Sequence, residues 1–171
     1  MARSLSLAAY LALARRASNP GVRPKRERPK GALIWGVADS AARASALAQL
    51  IARLRHLRPD VHLLLTVPAG IQKPNHLGDD VLWEVLPEDQ FDEAQAFLAD
   101  WRPDFCLWTG GHLRPALVLS TSEKNIPMHL VDADEDGFDE ALWRWLPNMA
   151  REVLSHFETV FANSANAAAR L

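Results

Sequence analysis

The sequence predicts an α/β domain built on a doubly wound parallel sheet, with helices on both faces. Three observations carry that expectation. Short apolar runs alternate with longer helical patterns along the 171 residues, as βαβ units require. The runs are apolar throughout rather than alternating, as in strands covered on both faces. And one junction is used twice: His56-Leu57-Arg58-Pro59-Asp60-Val61-His62-Leu63-Leu64-Leu65-Thr66 parallels Asp100-Trp101-Arg102-Pro103-Asp104-Phe105-Cys106-Leu107-Trp108-Thr109. In each copy proline stops a helix and pushes the residue before it toward an extended conformation, and a strand follows.

In chain order, residues 1–30 read as an apolar helix and a basic arm, and residues 31–171 as the compact body. The helix is centred on Leu5–Ala14 and closed by Arg15-Arg16. It is too short for a membrane span, and its positive charges follow the apolar run rather than preceding it, unlike a signal peptide. Two roles fit it: lying on an anionic membrane surface, or packing on the domain. Ser18–Gly31, rich in Pro, Gly and charge, reads as a linker. Strands are expected at Ala32–Val37, Val61–Thr66, Val81–Leu86, Phe105–Thr109, Met128–Val131 and Thr159–Ala162. Helices are expected near Ala41–Leu57, Phe91–Trp101, Leu113–Leu119, Asp139–His156 and Ala165–Leu171.

Charge is unevenly spread. Residues 1–30 carry eight Lys/Arg and one acid, whereas the remainder carries eleven Lys/Arg and twenty acids; a basic arm thus precedes an acidic body. No interleaving of basic and aromatic residues marks a nucleic-acid platform. A single cysteine, Cys106, excludes an intramolecular disulfide and a cysteine-based zinc site, and its mid-strand position predicts a buried inert thiol. The six histidines show neither H-x-x-x-H nor H-x-H spacing, so no local metal motif exists. Asp132–Gly137 matches the first half of a calcium loop, but Trp143 stands where the bidentate glutamate belongs; a solvated acidic loop ahead of a helix from Asp139 fits better. Trp101 and Trp108 are expected in the core. In Trp143-Arg144-Trp145 the two rings cannot share one helix face.

Chemistry is expected at strand ends, because open α/β sheets bind ligands outside the carboxyl ends of their strands. Two such ends stand out. Phe105–Thr109 stops at Gly110-Gly111-His112, where glycines permit close approach and the histidine offers proton transfer or hydrogen bonding. The segment carrying Gly36 leads to Asp39 and Ser40, either of which can cap the helix that follows or help to form an anion site there. Neither G-x-G-x-x-G nor G-x-x-x-x-G-K-[ST] occurs.

Taken in order, these segments resemble the N-terminal domain of 3-deoxy-D-manno-octulosonic acid (Kdo) transferases, glycosyltransferases of the two-domain GT-B architecture. Ile34-Trp35 and Ser40 fall in register with the family's W-I-H-A-x-S-V-G-E loop. Thr66-Val67-Pro68-Ala69-Gly70 matches a T-x-T-P-T-G-like loop. Arg102-Pro103-Asp104 through Ala116 matches R-P-D, a strand and E-T-E-L-W-P-N. Asn125–Ala133 matches G-I-P-x-x-L-V-N-A, and Phe157, Val160, Ala162, Ser164, Ala168, Arg170 and Leu171 match the closing pattern.

The resemblance implies a Rossmann-like acceptor-side domain. Its reaction would move Kdo from CMP-Kdo to a lipid A precursor, in lipopolysaccharide core biosynthesis, at the cytoplasmic face of the inner membrane, without metal or organic cofactor. The donor would bind a C-terminal domain that these residues do not include, so this domain alone is expected to be inactive. The family's acids have been replaced. Arg43 stands where S-V-G-E has its glutamate, held to be the general base, and Gly110 and His112 stand where E-T-E has its acids. A guanidinium accepts no proton at neutral pH. Asp39 or His112 is therefore the expected surrogate base. Ser40 would contact an acceptor phosphate or hydroxyl, Gly110 and Gly111 would leave room for the sugar, and Arg43 and Arg114 would pair with acceptor phosphates. Asp132, in place of the family asparagine, adds an acid at the same sheet edge. The alternative is a non-catalytic lipid- or sugar-binding scaffold on the same fold.

Overall fold

The computed structural model describes residues 5–15, 27–110, 112–134 and 147–170. They form a sheet of β1 (Ala32–Val37), β2 (Val61–Val67), β3 (Val81–Val85), β4 (Phe105–Thr109), β5 (Met128–Ala133) and β6 (Thr159–Ala162). The helices are α1 (Leu5–Ala14), α2 (Ala41–Arg55), α3 (Phe91–Trp101), α4 (Pro115–Glu123), α5 (Pro147–Leu154) and α6 (Ala165–Arg170). The strand order is β3-β2-β1-β4-β5-β6 and every pairing is parallel. This is the Rossmann-type order, in which the direction of winding reverses between β1 and β4.

Period-two alternation assigns the two faces. Leu33, Trp35 and Val37 of β1, with Cys106 and Trp108 of β4 and Leu130 of β5, join α1, α3, α4 and α5 in one core. Ile34, Leu63, Leu65 and Leu107 turn the other way and pack with Ala44, Leu47 and Ile51 of α2. Gly36 permits that approach: a Cβ there would lie 2.7 Å from a Leu65 methyl and 3.0 Å from one of Leu47.

The expected strands agree with the observed ones to within two residues at each end, and the two Arg-Pro-Asp copies explain why. Asp60 and Asp104 immediately precede the strands on either side of β1. Ala32 N–H donates to the Asp60 carbonyl (3.2 Å), and Leu33 N–H to the Asp104 carboxylate (2.8 Å). The repeat is thus a device for setting register.

The helix expected from Leu113 begins instead at Pro115, which has no N–H to leave unpaired at N1 and holds Arg114 extended. It continues to Glu123 because Ser120 and Thr121 are buried, and the Thr121 hydroxyl donates to the Leu117 carbonyl (2.7 Å). The helix expected at Asp139–His156 is seen as Pro147–Leu154. The expectations for Asp139 and for Trp143-Arg144-Trp145 lie outside the described residues.

Trp101 and Trp108 are buried as expected. Cys106 is fully buried, and burial pushes its thiol up, as befits an inert group. Trp35 packs against Phe97 at 5.0 Å and Trp108 at 6.2 Å, and its indole N–H donates to Thr66 Oγ1 at 2.9 Å. Thr66→Val keeps the shape but strands that buried donor, which costs roughly 1–2 kcal/mol. Urea denaturation should show the loss, and Thr66→Ser, which keeps a hydroxyl, should recover part of it.

Candidate functional site

The carboxyl ends of the first four strands converge on one cleft. From β1 come Asp39 and Ser40, from β2 Pro68, from β3 Asp89, and from β4 His112, Leu113 and Arg114; Tyr10 of α1 and Arg43 of α2 complete a cavity of about 610 Å³. It lies at the winding reversal, where such sheets bind ligands. A smaller recess of about 40 Å³ runs beneath it, lined by Val37, Trp108 and Thr109 among others. The strand ends are tied together by Ala38 N–H donating to the Thr66 carbonyl (3.0 Å) and by the Thr109 hydroxyl donating to the Val37 carbonyl (2.8 Å).

Asp39, Ser40, Arg43, His112 and Arg114, chosen from sequence, all line this cleft. Ser40 is the N-cap of α2: its backbone is extended, and its Oγ accepts from the Arg43 N–H at 3.3 Å. His112 is exposed at the rim. Gly111 lies outside the described residues.

Arg43 departs from expectation. Its Nη1 donates to Asp39 Oδ2 at 2.6 Å, its Nε to Asp132 Oδ2 at 2.8 Å, and its Nη2 to Asp134 Oδ2. Three carboxylates already occupy the guanidinium, so it is not poised for acceptor phosphates. Burial acts to lower its pKa, but the hydrogen bonds to Asp39, Asp132 and Asp134 outweigh it and hold the group above its ordinary value. Asp132 reaches this partner from a left-handed backbone, φ 53°, beside an irregularity in the β5–β6 pairing.

Gly110 departs too. Its φ is +77°, and a Cβ there would lie 2.4 Å from Asp39 Oδ2 and 2.9 Å from Arg43 Nη1. The missing side chain makes room for this ion pair, not for a sugar. Asp39 Oδ1, by contrast, is buried and has no hydrogen-bond partner among the described residues, so one carboxylate oxygen keeps unused acceptor capacity.

Arg114 donates through Nη1 to the carbonyls of Leu86 (3.4 Å) and Pro87. Two residues that sequence reasoning missed stand beside it. Asp89 Oδ1 accepts from the backbone N–H groups of Ala116 (2.9 Å) and Leu117 (3.2 Å), and its Oδ2 accepts from the Tyr10 hydroxyl. Burial pushes the Asp89 carboxyl above its ordinary range, against the hydrogen bonds from Tyr10, Leu117 and Ala116 that pull it down. Burial, reinforced by the Asp89 charge, also raises the Tyr10 phenol, which therefore stays a donor. The only local signal was an acid at the end of a predicted strand; the partners lie 27, 28 and 79 residues away in sequence.

Tyr10 also settles how α1 meets the body. Leu7 and Leu11 are buried in the core, while Ala8, Ala9 and Ala12 are exposed. Among the described residues, no helix is long and apolar enough to cross a membrane.

Comparison with known proteins agrees with this architecture. A solved glycosyltransferase, SnogD from Streptomyces nogalater, has a similar fold, with a TM-score of 0.52 and 16% identity over 90% of this chain and 38% of that one. The S. aureus MnaA-UDP co-structure is similar at a TM-score of 0.50 and 18% identity, over 81% of this chain and 40% of that one. Among curated proteins, a probable mitochondrial 3-deoxy-D-manno-octulosonic acid transferase from Arabidopsis thaliana is 30% identical over 113 residues. That match covers 64% of this chain and 25% of the relative, so the chain spans about a quarter of the relative's length. The family model described as 3-deoxy-D-manno-octulosonic-acid transferase (kdotransferase) matches residues 12–171. With its sheet order, its cleft at the winding reversal and this nearly complete match, the chain belongs to the Kdo transferase family, as an N-terminal domain of that family.

Proposed function

We propose that the cleft between β1 and β4 is the acceptor site of a glycosyltransferase that moves Kdo from CMP-Kdo to a lipid A precursor. The reading includes a peripheral location at the cytoplasmic face of the inner membrane, with the outer face of α1 against the lipid. The observation that carries it is Asp39 Oδ1, which has no hydrogen-bond partner among the described residues and belongs to a cleft that also holds Arg114 and His112. In the proposed reaction the acceptor hydroxyl oxygen bonds to the anomeric carbon of Kdo, the bond to the CMP phosphate breaks, and the hydroxyl proton passes to Asp39. His112 and Arg114 would hold the acceptor's polar groups, with charge-assisted bonds from the guanidinium to phosphate. The donor would be bound by another part of the full-length protein, so residues 1–171 alone should not transfer sugar efficiently; half the positioning apparatus would be missing.

Acceptor binding tests the assignment of the cleft. Full-length protein titrated with a lipid A precursor should bind it; Arg114→Ala should weaken binding by about tenfold or more, the range of a charged hydrogen bond, and His112→Ala by about threefold to tenfold, the range of a neutral one. Unchanged affinity in both variants would move the acceptor site elsewhere. A second reading, a lipid- or sugar-binding scaffold without catalysis, draws support from Arg43, which gathers three carboxylates where the family is held to carry its base.

A further inference from the structure

The joint between α1, the loop after β3 and the start of α4 does more than fill space. Arg114 Nη1 donates to the carbonyls of Leu86 and Pro87, and two residues further on Asp89 accepts two N–H groups from the first turn of α4. Those N–H groups need a cap from elsewhere, because the N-cap residue is Arg114 itself and its side chain supplies none. The loop is therefore clamped to the segment that carries His112 and Arg114 into the cleft. The second carboxylate oxygen of Asp89 is taken by Tyr10 from α1, whose side chain also lines the cavity. Asp89 thus joins three separate stretches of chain at the cleft wall.

We propose that Tyr10 and Asp89 are positioning residues of the acceptor site. Asp89 fixes the start of α4 and so sets Arg114, and Tyr10 fixes the second oxygen of Asp89, which makes α1 a functional wall of the cleft. The inference rests on the reading of the cleft as the acceptor site.

A double-mutant comparison on the full-length protein, titrated with a lipid A precursor, tests it. Asp89→Ala, which removes three hydrogen bonds and loosens Arg114, should weaken binding about five- to tenfold, and Tyr10→Phe, which removes one, about threefold to fivefold. Asp89→Asn keeps an acceptor oxygen for Ala116 and Leu117 and should recover most of the affinity. Because Asp89 acts through Arg114, adding Asp89→Ala to Arg114→Ala should weaken binding little further, a coupling that general destabilisation would not produce. If Asp89→Ala fails to fold, Tyr10→Phe still decides. Weakening by Arg114→Ala with full affinity in Tyr10→Phe and Asp89→Ala would overturn the positioning role and leave the cleft standing. Full affinity in Arg114→Ala as well would overturn the cleft reading, and the positioning role with it.

Discussion

Replacing Arg43 with Ala should lower the stability of the domain by about 3 kcal/mol, near the lower end of the range for removing one partner of a buried ion pair. The guanidinium is mostly covered, and so are Asp39 and Asp134; the exposed fractions of their side chains are 21%, 15% and 22%. Asp132 is 49% exposed and should contribute little, as surface pairs do. Without Arg43, two covered carboxylates would face each other with no cation between them. For a domain of this size the loss corresponds to a fall in melting temperature of about 6–12 °C. Arg43→Lys should fall between Arg43→Ala and wild type, because one ammonium cannot span three carboxylates in the fork geometry of a guanidinium. Thermal melts of the two variants would check both statements; an Arg43→Ala melt indistinguishable from wild type would make the network ornamental.

Gly110→Ala should cost about 2–3 kcal/mol, from two sources. The left-handed backbone at φ +77° costs a residue with a Cβ about 1–2 kcal/mol. The new methyl would also meet Asp39 Oδ2 at 2.4 Å, and the ion pair would have to move. The second source is separable. In an Asp39→Ala background the closer of the two contacts is gone and the same substitution should cost mainly the backbone strain, giving a coupling of about 1 kcal/mol between two residues in contact. Urea midpoints for the four proteins would measure it. Additive losses would mean that Gly110 is there for its backbone alone.

Much of this fold is legible in the sequence because its signals are local. Apolar runs bounded by proline and glycine mark the strands, and the doubled Arg-Pro-Asp junction marks the starts of two of them, which flank β1 in the sheet. Ser40 can be read as a cap because it precedes its helix directly. The rule that strand ends carry chemistry points to Asp39, Ser40, His112 and Arg114, which line one cleft. Their partners are not legible. Asp132 and Asp134 lie 89 and 91 residues from Arg43, and no local pattern says which of many acids an arginine will meet. Gly110 reads as open space for the same reason: what fills the volume over a glycine comes from a distant turn. Tyr10 and Asp89 escape notice because an apolar helix and a loop acid look ordinary until they touch.

The most direct test is transfer itself, with full-length wild type and the Asp39→Asn and His112→Ala variants supplied with CMP-Kdo and a lipid A precursor. Wild type should add Kdo to the precursor, and Asp39→Asn should lower turnover by about a hundredfold or more, as loss of a general base does, with His112→Ala acting mainly on acceptor affinity. Full turnover by Asp39→Asn, or no transfer by wild type that binds both substrates, would contradict the assignment of Asp39 as the base of a sugar transfer in this cleft.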